Sequence, residues 1–214
     1  MLFSSVTFLF LFLPIVLAVY YIVPDKGKNP VLLAASILFY AWGEPVYVVL
    51  MILSIILNYF CGRDIDQKAD DPAKAKRSMI FAVAVNVLIL AFFKYYGFLL
   101  DTLNSVLPSD IPYRELPLPI GISFYTFQSL SYIVDIYRKN VKPQNNILYF
   151  ALYISMFPQL IAGPIVRYID IEEQLVKRRI SAVRLGQGAM FFIRGLAKKV
   201  ILANMTGEIF EQIS

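Results

Sequence analysis

The sequence predicts an all-α fold: a polytopic transmembrane helix bundle with broken or re-entrant helices. Of its 214 residues, 58% are hydrophobic and only 16% are charged, whereas about 25% of residues are charged in a soluble domain. Apolar runs of about 17 to 25 residues are long enough to cross a bilayer as a helix. The five longest stretches without a charged residue are 1–24, 45–62, 78–93, 116–134 and 143–166. We expect a single domain, residues 1–214, in the cell membrane.

The first half of the chain predicts apolar helices separated by polar turns. Residues 3–23 form a first span, and a short polar loop follows at 25–29. Residues 31–42 and 46–60 are each short for a span and are separated by a Gly-Glu-Pro sequence. Cytoplasmic loops carry an excess of Lys and Arg, and both 25–29 and the five-cation segment 63–77 are basic. We therefore expect a hairpin between two cytoplasmic segments, and an N-terminus outside.

The next part predicts one outward helix and one return helix. Residues 79–100 lead to a loop at 101–115, which holds one cation and three acidic residues, as expected outside the cell. Residues 121–137 bring the chain back to a basic loop at 138–142. These two helices therefore connect two basic, cytoplasmic loops through one outer loop.

The apolar segment 147–166 is predicted to be re-entrant, or broken near its middle. Three residues that end or bend helices lie in its second half: Pro158, Gly163 and Pro164. A complete crossing would also place the five cations of residues 167–184 outside. Non-helical backbone at membrane depth has to be buried in protein or line a cavity. Gln159 and the freed carbonyl groups would form a polar notch there, or the break is only a structural turn.

The most informative helix is the one predicted over residues 121–137, because its polar residues share one face. At about 100° per residue, five residues fall within a narrow arc: Gly121, Tyr125, Gln128, Tyr132 and Asp135. Polar groups of a membrane helix face protein or water, so this face predicts the wall of a polar substrate path. The alternative is structural hydrogen bonding, with Asp135 paired to Arg138 one turn later.

The last predicted helix, residues 185–205, also has a polar stripe. Arg184, Gln187, Arg194 and Lys198 share one of its faces. This pattern is typical of a helix that lies at a membrane interface.

Several functional classes are poorly supported by the composition. The chain contains no histidine and one cysteine, Cys61, so we predict no metal site and no bound cofactor. The basic segment 63–77 contains four aspartates, which argues against nucleic acid as a partner and leaves the lipid bilayer as the expected one. Acyl transfer to a hydroxyl requires a base, usually histidine. Composition and spacing alone therefore indicate a polytopic membrane protein with an intramembrane polar path, and they assign no activity to it.

Five segments, in order along the chain, closely resemble one family: MLFSSVTFLFLFLPIVLAVYY, LLAASILFYAWGEP, FFKYYGF, LPIGISFYTFQSLSYIVDIYR and FPQLIAGPIVRY. The family is the membrane-bound O-acyltransferases (MBOAT), and within it the bacterial alginate O-acetyltransferase group. The resemblance implies a ring of helices around a thinned centre. There an acyl group passes from a cytoplasmic thioester donor, acyl-CoA or an acyl carrier, to hydroxyls of an exported alginate-like polysaccharide. The acceptor could also be a carrier protein or partner transferase outside the cell.

The resemblance also implies roles for matched positions. Family members are longer, and their catalytic histidine lies in a C-terminal half that has no match here, so we expect an N-terminal portion and assign no catalytic residue. Candidate residues of the substrate path are Gln128, Tyr132, Asp135, Gln159 and Arg167. Framework residues are Gly121, Arg138, Pro158, Gly163 and Pro164. A transporter or channel subunit and a non-catalytic scaffold remain the alternatives.

Overall fold

The regular structure of the protein is helical. The computed structural model describes residues 3–107, 111–114, 116–160, 163–178, 181–204 and 206, and no strand occurs among them. The all-α prediction is therefore confirmed. The described α-helices are α1 (Leu13–Ile22), α2 (Asp25–Gly43), α3 (Tyr47–Gln67), α4 (Pro72–Val106), α5 (Ile122–Tyr137), α6 (Ile147–Ser155), α7 (Phe157–Leu160), α8 (Tyr168–Val176) and α9 (Ala182–Ala197). A π-helical turn, Phe8–Phe12, leads into α1, and a second one, Lys198–Asn204, continues α9.

Two helices, α3 with 21 residues and α4 with 35, are long and apolar enough to cross a membrane. At 1.5 Å per residue they extend about 30 and 50 Å, and a bilayer has a hydrocarbon core of about 30 Å. Few residues of α4 are buried by the rest of the described chain: Ala75, Ala82 and Asn86. Large apolar side chains such as Phe81 and Leu88 are more than half exposed. Length and composition thus identify two candidate spans, fewer than the sequence predicts.

The predicted first span is shorter in the structure. Its helical part is Phe8–Ile22, whereas about 20 residues are needed to cross a bilayer. Aromatic packing holds this segment to α2 and α7. The rings of Phe8, Phe12, Phe39 and Phe157 have centroids 5.4–6.1 Å apart. The N-terminal segment is therefore a packed part of the bundle.

The polar loop predicted at residues 25–29 is wrong, because these residues form the first turn of α2. Pro24 is extended, with ψ 163°, and marks the boundary between α1 and α2. Asp25 stabilises the positive end of the helix dipole and accepts a hydrogen bond from Lys28 Nζ at 2.6 Å. The predicted break between two helices is confirmed, since α2 ends at Gly43 and α3 begins at Tyr47.

Helix α4 extends beyond the predicted limits of 79–100 at both ends. Asp71 caps its start, because one carboxylate oxygen accepts hydrogen bonds from the N–H groups of Ala73 and Lys74, both at 3.1 Å. The bond from the Lys74 N–H, then the ion pair with the Lys74 side chain, and to a smaller extent the bond from Ala73 hold the pKa of Asp71 below its usual value. At the other end, residues 101–106 continue the helix, so that part of the predicted loop is wrong.

The basic segments lie at one end of the bundle. Residues from 63–77 and 138–142 line one cleft together, and Asp66 and Lys139 are among them. Asn29, at the start of α2, donates a hydrogen bond to the Leu175 carbonyl of α8 at 2.7 Å. At the opposite end, Tyr40 donates to the Ile120 carbonyl at 2.9 Å. This geometry agrees with the hairpin predicted from the positive-inside rule; the membrane side of each end stays a prediction.

Candidate functional site

The polar face of α5 is buried inside the bundle. The exposed fractions are 2% for Gln128, 0% for Tyr132 and 3% for Asp135. Tyr125 and Ser129, on the same face, are also buried. Helix α5 packs against α3, α4, α6 and α8, which explains why its polar residues are enclosed by protein. The prediction that this face points toward protein is confirmed, while its role in a substrate path stays a prediction.

Asp135 pairs with Arg167, and the predicted pairing with Arg138 is wrong. One nitrogen, Arg167 Nη2, donates to both carboxylate oxygens of Asp135 at 2.7 and 2.8 Å. Asn140 Nδ2 also donates to Asp135 Oδ1 at 3.1 Å. The side chain of Asp135 is 5% exposed and that of Arg167 is 50% exposed. Arg138 is the C-cap of α5 and is exposed, because the helix ends there and its side chain leaves the buried face.

A cluster of aromatic rings lies next to this ion pair and packs segment 147–166 against α5. The rings of Tyr132, Phe150, Tyr153 and Tyr168 have centroids 4.6–6.5 Å apart. The side chain of Gln144 donates to the Tyr168 hydroxyl at 3.0 Å, and its backbone N–H donates to the Tyr132 hydroxyl at 2.9 Å. The residues before and after segment 147–166 thus meet, so the chain returns to the end of the bundle from which it left, as the re-entrant prediction requires.

The helix break predicted in this segment is confirmed, at Met156. Helix α6 ends at Ser155, Met156 leaves the helical conformation with ψ 114°, and α7 starts at Phe157. A continuous helix would need an N–H from Pro158, which has none. After the break, Pro158 lies in the first turn of α7, where that N–H is not required. The N–H of Phe157 donates instead to Ser36 Oγ at 3.2 Å.

The framework glycines occupy backbone positions that favour glycine. Gly121 has φ +79° as the N-cap of α5, and an added Cβ atom would lie 2.6 Å from the carbonyl oxygen of Leu160. Helices α5 and α7 therefore approach each other at Gly121 as closely as only glycine permits. Gly163 has φ +125° with open space around it, and the next residue, Pro164, is exposed.

A row of buried polar atoms on α5 has no hydrogen-bond partner in the described part of the chain. These atoms are Tyr125 OH, Gln128 Oε1 and Ser129 Oγ, and Gln159 Oε1 of α7 shares this property. Buried polar groups are normally paired with protein or ordered water. Hydroxyl and amide groups can bind a neutral polar ligand through hydrogen bonds. We call Tyr125, Gln128 and Ser129 the unpaired row. Its hydroxyl and amide groups have unused hydrogen-bonding capacity, and none of them is a general base.

Sequence reasoning missed a polar pair between the two long apolar helices. Asn58 of α3 and Asn86 of α4 exchange two side-chain hydrogen bonds of 2.8 and 3.0 Å. Both residues are buried. The signal was present, since an asparagine within an apolar run of a membrane helix usually bonds to a neighbouring helix.

The roles of Asn140 and Gln144 were also missed. Asn140 bonds to Asp135 five residues earlier, across the end of α5, and Gln144 bonds to Tyr132 and Tyr168, which are 12 and 24 residues away. Loop contacts of this kind follow no period in the sequence. Among the predicted path residues, Gln128, Tyr132 and Asp135 lie together on α5, and Arg167 joins them through its ion pair with Asp135. Gln159 lies on α7 and is only partly buried.

Comparison with known proteins identifies relatives along nearly the whole chain. "Probable alginate O-acetylase AlgI" of Pseudomonas aeruginosa is 38% identical over 208 residues, which is 95% of this chain and 40% of that protein. The protein of the same name from Azotobacter vinelandii is 38% identical over 213 residues, 98% of this chain and 43% of that protein. The chain is a homologue of the alginate O-acetylases. The resemblance seen in the sequence is therefore confirmed.

A further relative extends the comparison to a second polymer. The "Peptidoglycan O-acetyltransferase" of Helicobacter pylori is 32% identical over 238 residues, which covers 96% of this chain and 45% of that protein. The chain thus spans less than half the length of the curated relatives described here. No family model matches this chain, and no solved structure matches it.

Proposed function

We propose that this chain forms the N-terminal part of a membrane-bound O-acetyltransferase that acetylates hydroxyls of an exported polysaccharide. The observation that carries the proposal is the similarity, over 95–98% of the chain, to proteins named alginate O-acetylase. The name of a further relative, peptidoglycan O-acetyltransferase, also describes O-acetylation. The acceptor proposed here is accordingly a sugar hydroxyl of an alginate-like polymer, reached directly or through a carrier protein or partner transferase outside the cell.

The proposal includes a multi-pass arrangement with the N-terminus outside and the basic end in the cytoplasm. Helices α3 and α4 are long and apolar enough to cross a membrane. The segments 63–77 and 138–142 carry five and three cations at one end of the bundle, and 101–115 carries one. Because α2 starts at the basic end, the segment that precedes it begins at the opposite, outer end.

The transfer itself needs three events. The acceptor hydroxyl loses its proton to a base, its oxygen attacks the carbonyl carbon of the acetyl thioester, and the carbon–sulfur bond breaks to release the thiol. The 214 residues contain no histidine, so the proposal assigns the base to a residue outside them. This chain contributes binding: the unpaired row, with Gln128 at its centre, offers hydrogen bonds to the acetyl carbonyl or the acceptor hydroxyl.

The ion pair of Asp135 and Arg167 holds other parts of the candidate site in position. It fixes the returning segment against α5, next to the aromatic cluster, and thereby holds the unpaired row and α7 in one geometry. A carboxylate whose oxygens already accept three hydrogen bonds is poorly placed to accept a proton from substrate. Asp135 is therefore a positioning residue in this proposal.

The test is polymer acetylation by the protein expressed from its complete gene. The host exports alginate and lacks its own O-acetylase, and ester content of the exported polymer is measured by proton NMR. We expect acetylated polymer from the wild type and a loss of at least tenfold in Gln128→Leu. Phe127→Leu is the matched control, because Phe127 precedes Gln128 and is 47% exposed. Unacetylated polymer in cells that contain folded protein would contradict the proposal.

The absence of histidine favours one second candidate, a non-catalytic scaffold. A scaffold would co-purify with an intact acyltransferase and would support acetylation only in its presence. Solute flux through proteoliposomes without acetyl transfer would instead identify a transporter or channel. Each alternative thus has a result that the acetyltransferase proposal does not produce.

A further inference from the structure

Helix α9 and the π-helical turn that continues it are hardly covered by the rest of the described chain. No residue of α9 is buried. Large apolar side chains such as Val183, Met190 and Ile193 are at least half exposed. A Cβ atom added at Gly186 or Gly188 would have no neighbour within 4 Å. An ordered helix with this much apolar surface requires a partner outside the described residues.

The exposed helix has two chemically different faces. At about 100° per residue, one face holds the polar residues and the other most of the apolar ones, with Phe191 and Leu202 as exceptions among the polar residues. The polar face consists of Arg184, Gln187, Arg194 and Lys198, and Lys199 lies at its edge. The apolar face includes Val183, Leu185, Met190, Phe192, Ile193 and Val200. A partner therefore has to offer an apolar layer beside groups that bind cations.

The charge of residues 181–204 favours an anionic partner. Residues 181–204 contain four cations and no acidic residue. The segment also starts at the basic end of the bundle, because it lines a cleft at the end of α8 in which Arg184, Lys177 and Arg178 together outweigh Glu172 and Glu173. The cytoplasmic leaflet carries anionic lipids that attract such clusters. A bilayer surface thus matches both faces, with phosphate groups for the cations and acyl chains for the apolar side chains.

Crossing the membrane is a poor alternative for this segment. Arg194 lies near the middle of residues 182–204, so a transmembrane orientation would place a cation at the centre of the bilayer, where charged groups are strongly disfavoured. An orientation parallel to the surface leaves all four cations at the headgroups, with the apolar face about 5–10 Å deep.

We propose that α9 and its π-helical continuation lie flat on the cytoplasmic membrane surface and bind anionic phospholipid headgroups. This inference rests on the proposed membrane location of the chain. It adds a lipid-binding element that no relative's name describes. The helix would anchor the end of the re-entrant region at the interface, directly after α8.

The test measures depth with nitroxide labels on the complete protein in vesicles. Single cysteines are introduced on a Cys61→Ser background at Phe192, on the apolar face, at Arg194, on the polar face, and at Leu88 of α4 as a reference. Accessibility to oxygen reports lipid, and accessibility to a nickel chelate reports water. We expect oxygen access and shallow depth at 192, nickel access at 194, and deep lipid burial at 88.

The lipid dependence provides the second readout. Adding phosphatidylglycerol to phosphatidylcholine vesicles should increase lipid burial at 192, and high salt should reverse it. Replacing Arg194 and Lys198 with Gln should weaken the bound state by about fivefold for each cation removed. Leu202→Ala, which keeps every charge, is the matched control.

Three results would overturn the proposal. Deep lipid burial at both 192 and 194 would show a transmembrane helix, and shielding of 192 from oxygen and nickel would show a protein partner. If lipid burial at 192 did not change with phosphatidylglycerol or with salt, the proposed binding of anionic lipids would be wrong. If residue 88 is also exposed to water, the proposed membrane location fails as well, whereas deep burial at 88 confines the failure to α9.

Discussion

The ion pair between Asp135 and Arg167 predicts an unequal effect of removing its two members. Arg167→Gln leaves the Asp135 carboxylate, which is 5% exposed, with one remaining side-chain donor, Asn140. Asp135→Asn leaves Arg167, whose side chain is 50% exposed and can turn toward water or headgroups. A stranded buried charge is costly, whereas a stranded exposed charge costs little. Arg167→Gln should therefore destabilise the protein more than Asp135→Asn.

The magnitude follows from the exposure of the two partners. Removing one member of a fully buried pair costs about 3–5 kcal/mol, and exposed pairs contribute about 0.2–1 kcal/mol. With one partner buried and the other half exposed, we expect about 1–3 kcal/mol for Arg167→Gln. We expect about 1 kcal/mol or less for Asp135→Asn, because the amide can still accept a hydrogen bond.

The assay is reversible unfolding in mild detergent, followed by circular dichroism, with the free energy of unfolding as the measured quantity. Arg138→Gln is the control and should change that free energy by less than about 0.5 kcal/mol, since Arg138 is an exposed surface residue. The double variant of Asp135 and Arg167 should cost less than the sum of the single ones. Equal losses in the two single variants, or a larger loss for Asp135→Asn, would refute the reasoning.

Three further outcomes are expected. Gly121→Ala should cost at least about 2 kcal/mol of unfolding free energy, from the left-handed backbone and the contact with Leu160, whereas Gly97→Ala, in open space within α4, should be neutral or stabilising. A cysteine at Lys74 on a cysteine-free background should react with impermeant maleimide only after the cells are opened; labelling in intact cells would reverse the topology. The pKa of Asp71 is lowered in the folded state, so its stabilisation is complete above the unfolded value of about 3.9 and is lost at lower pH. The fall in the unfolding midpoint between neutral and acidic pH should therefore be smaller in Asp71→Asn than in the wild type. An equal fall in the two proteins would contradict this prediction.

Periodicity predicted the parts of the fold that depend on local sequence. The break before Tyr47, the buried face of α5 and the break within segment 147–166 all follow from proline, glycine or a period of 3.6 residues. The partner of Asp135 did not follow, because the prediction considered only Arg138 in the next turn. The true partner, Arg167, is 32 residues away and reaches Asp135 only after the chain has turned back. The predicted helix ends were wrong for a related reason, because capping by Asp71 and the ion pair at Asp25 extend helices into polar sequence.

The same contacts build the fold and the candidate site, which limits what most substitutions can reveal. Asp135, Arg167 and the aromatic cluster hold the returning segment in place, so their loss would lower activity through stability alone. The unpaired row differs, because Gln128 Oε1 contributes no hydrogen bond within the described chain. The backbone carbonyl of Gln128, which accepts from Tyr153 and Ser131, is kept in any variant. Gln128→Leu should thus change the unfolding free energy by less than about 1.5 kcal/mol while it reduces acetyl transfer. Equal losses of stability and activity would show that Gln128 only supports the fold.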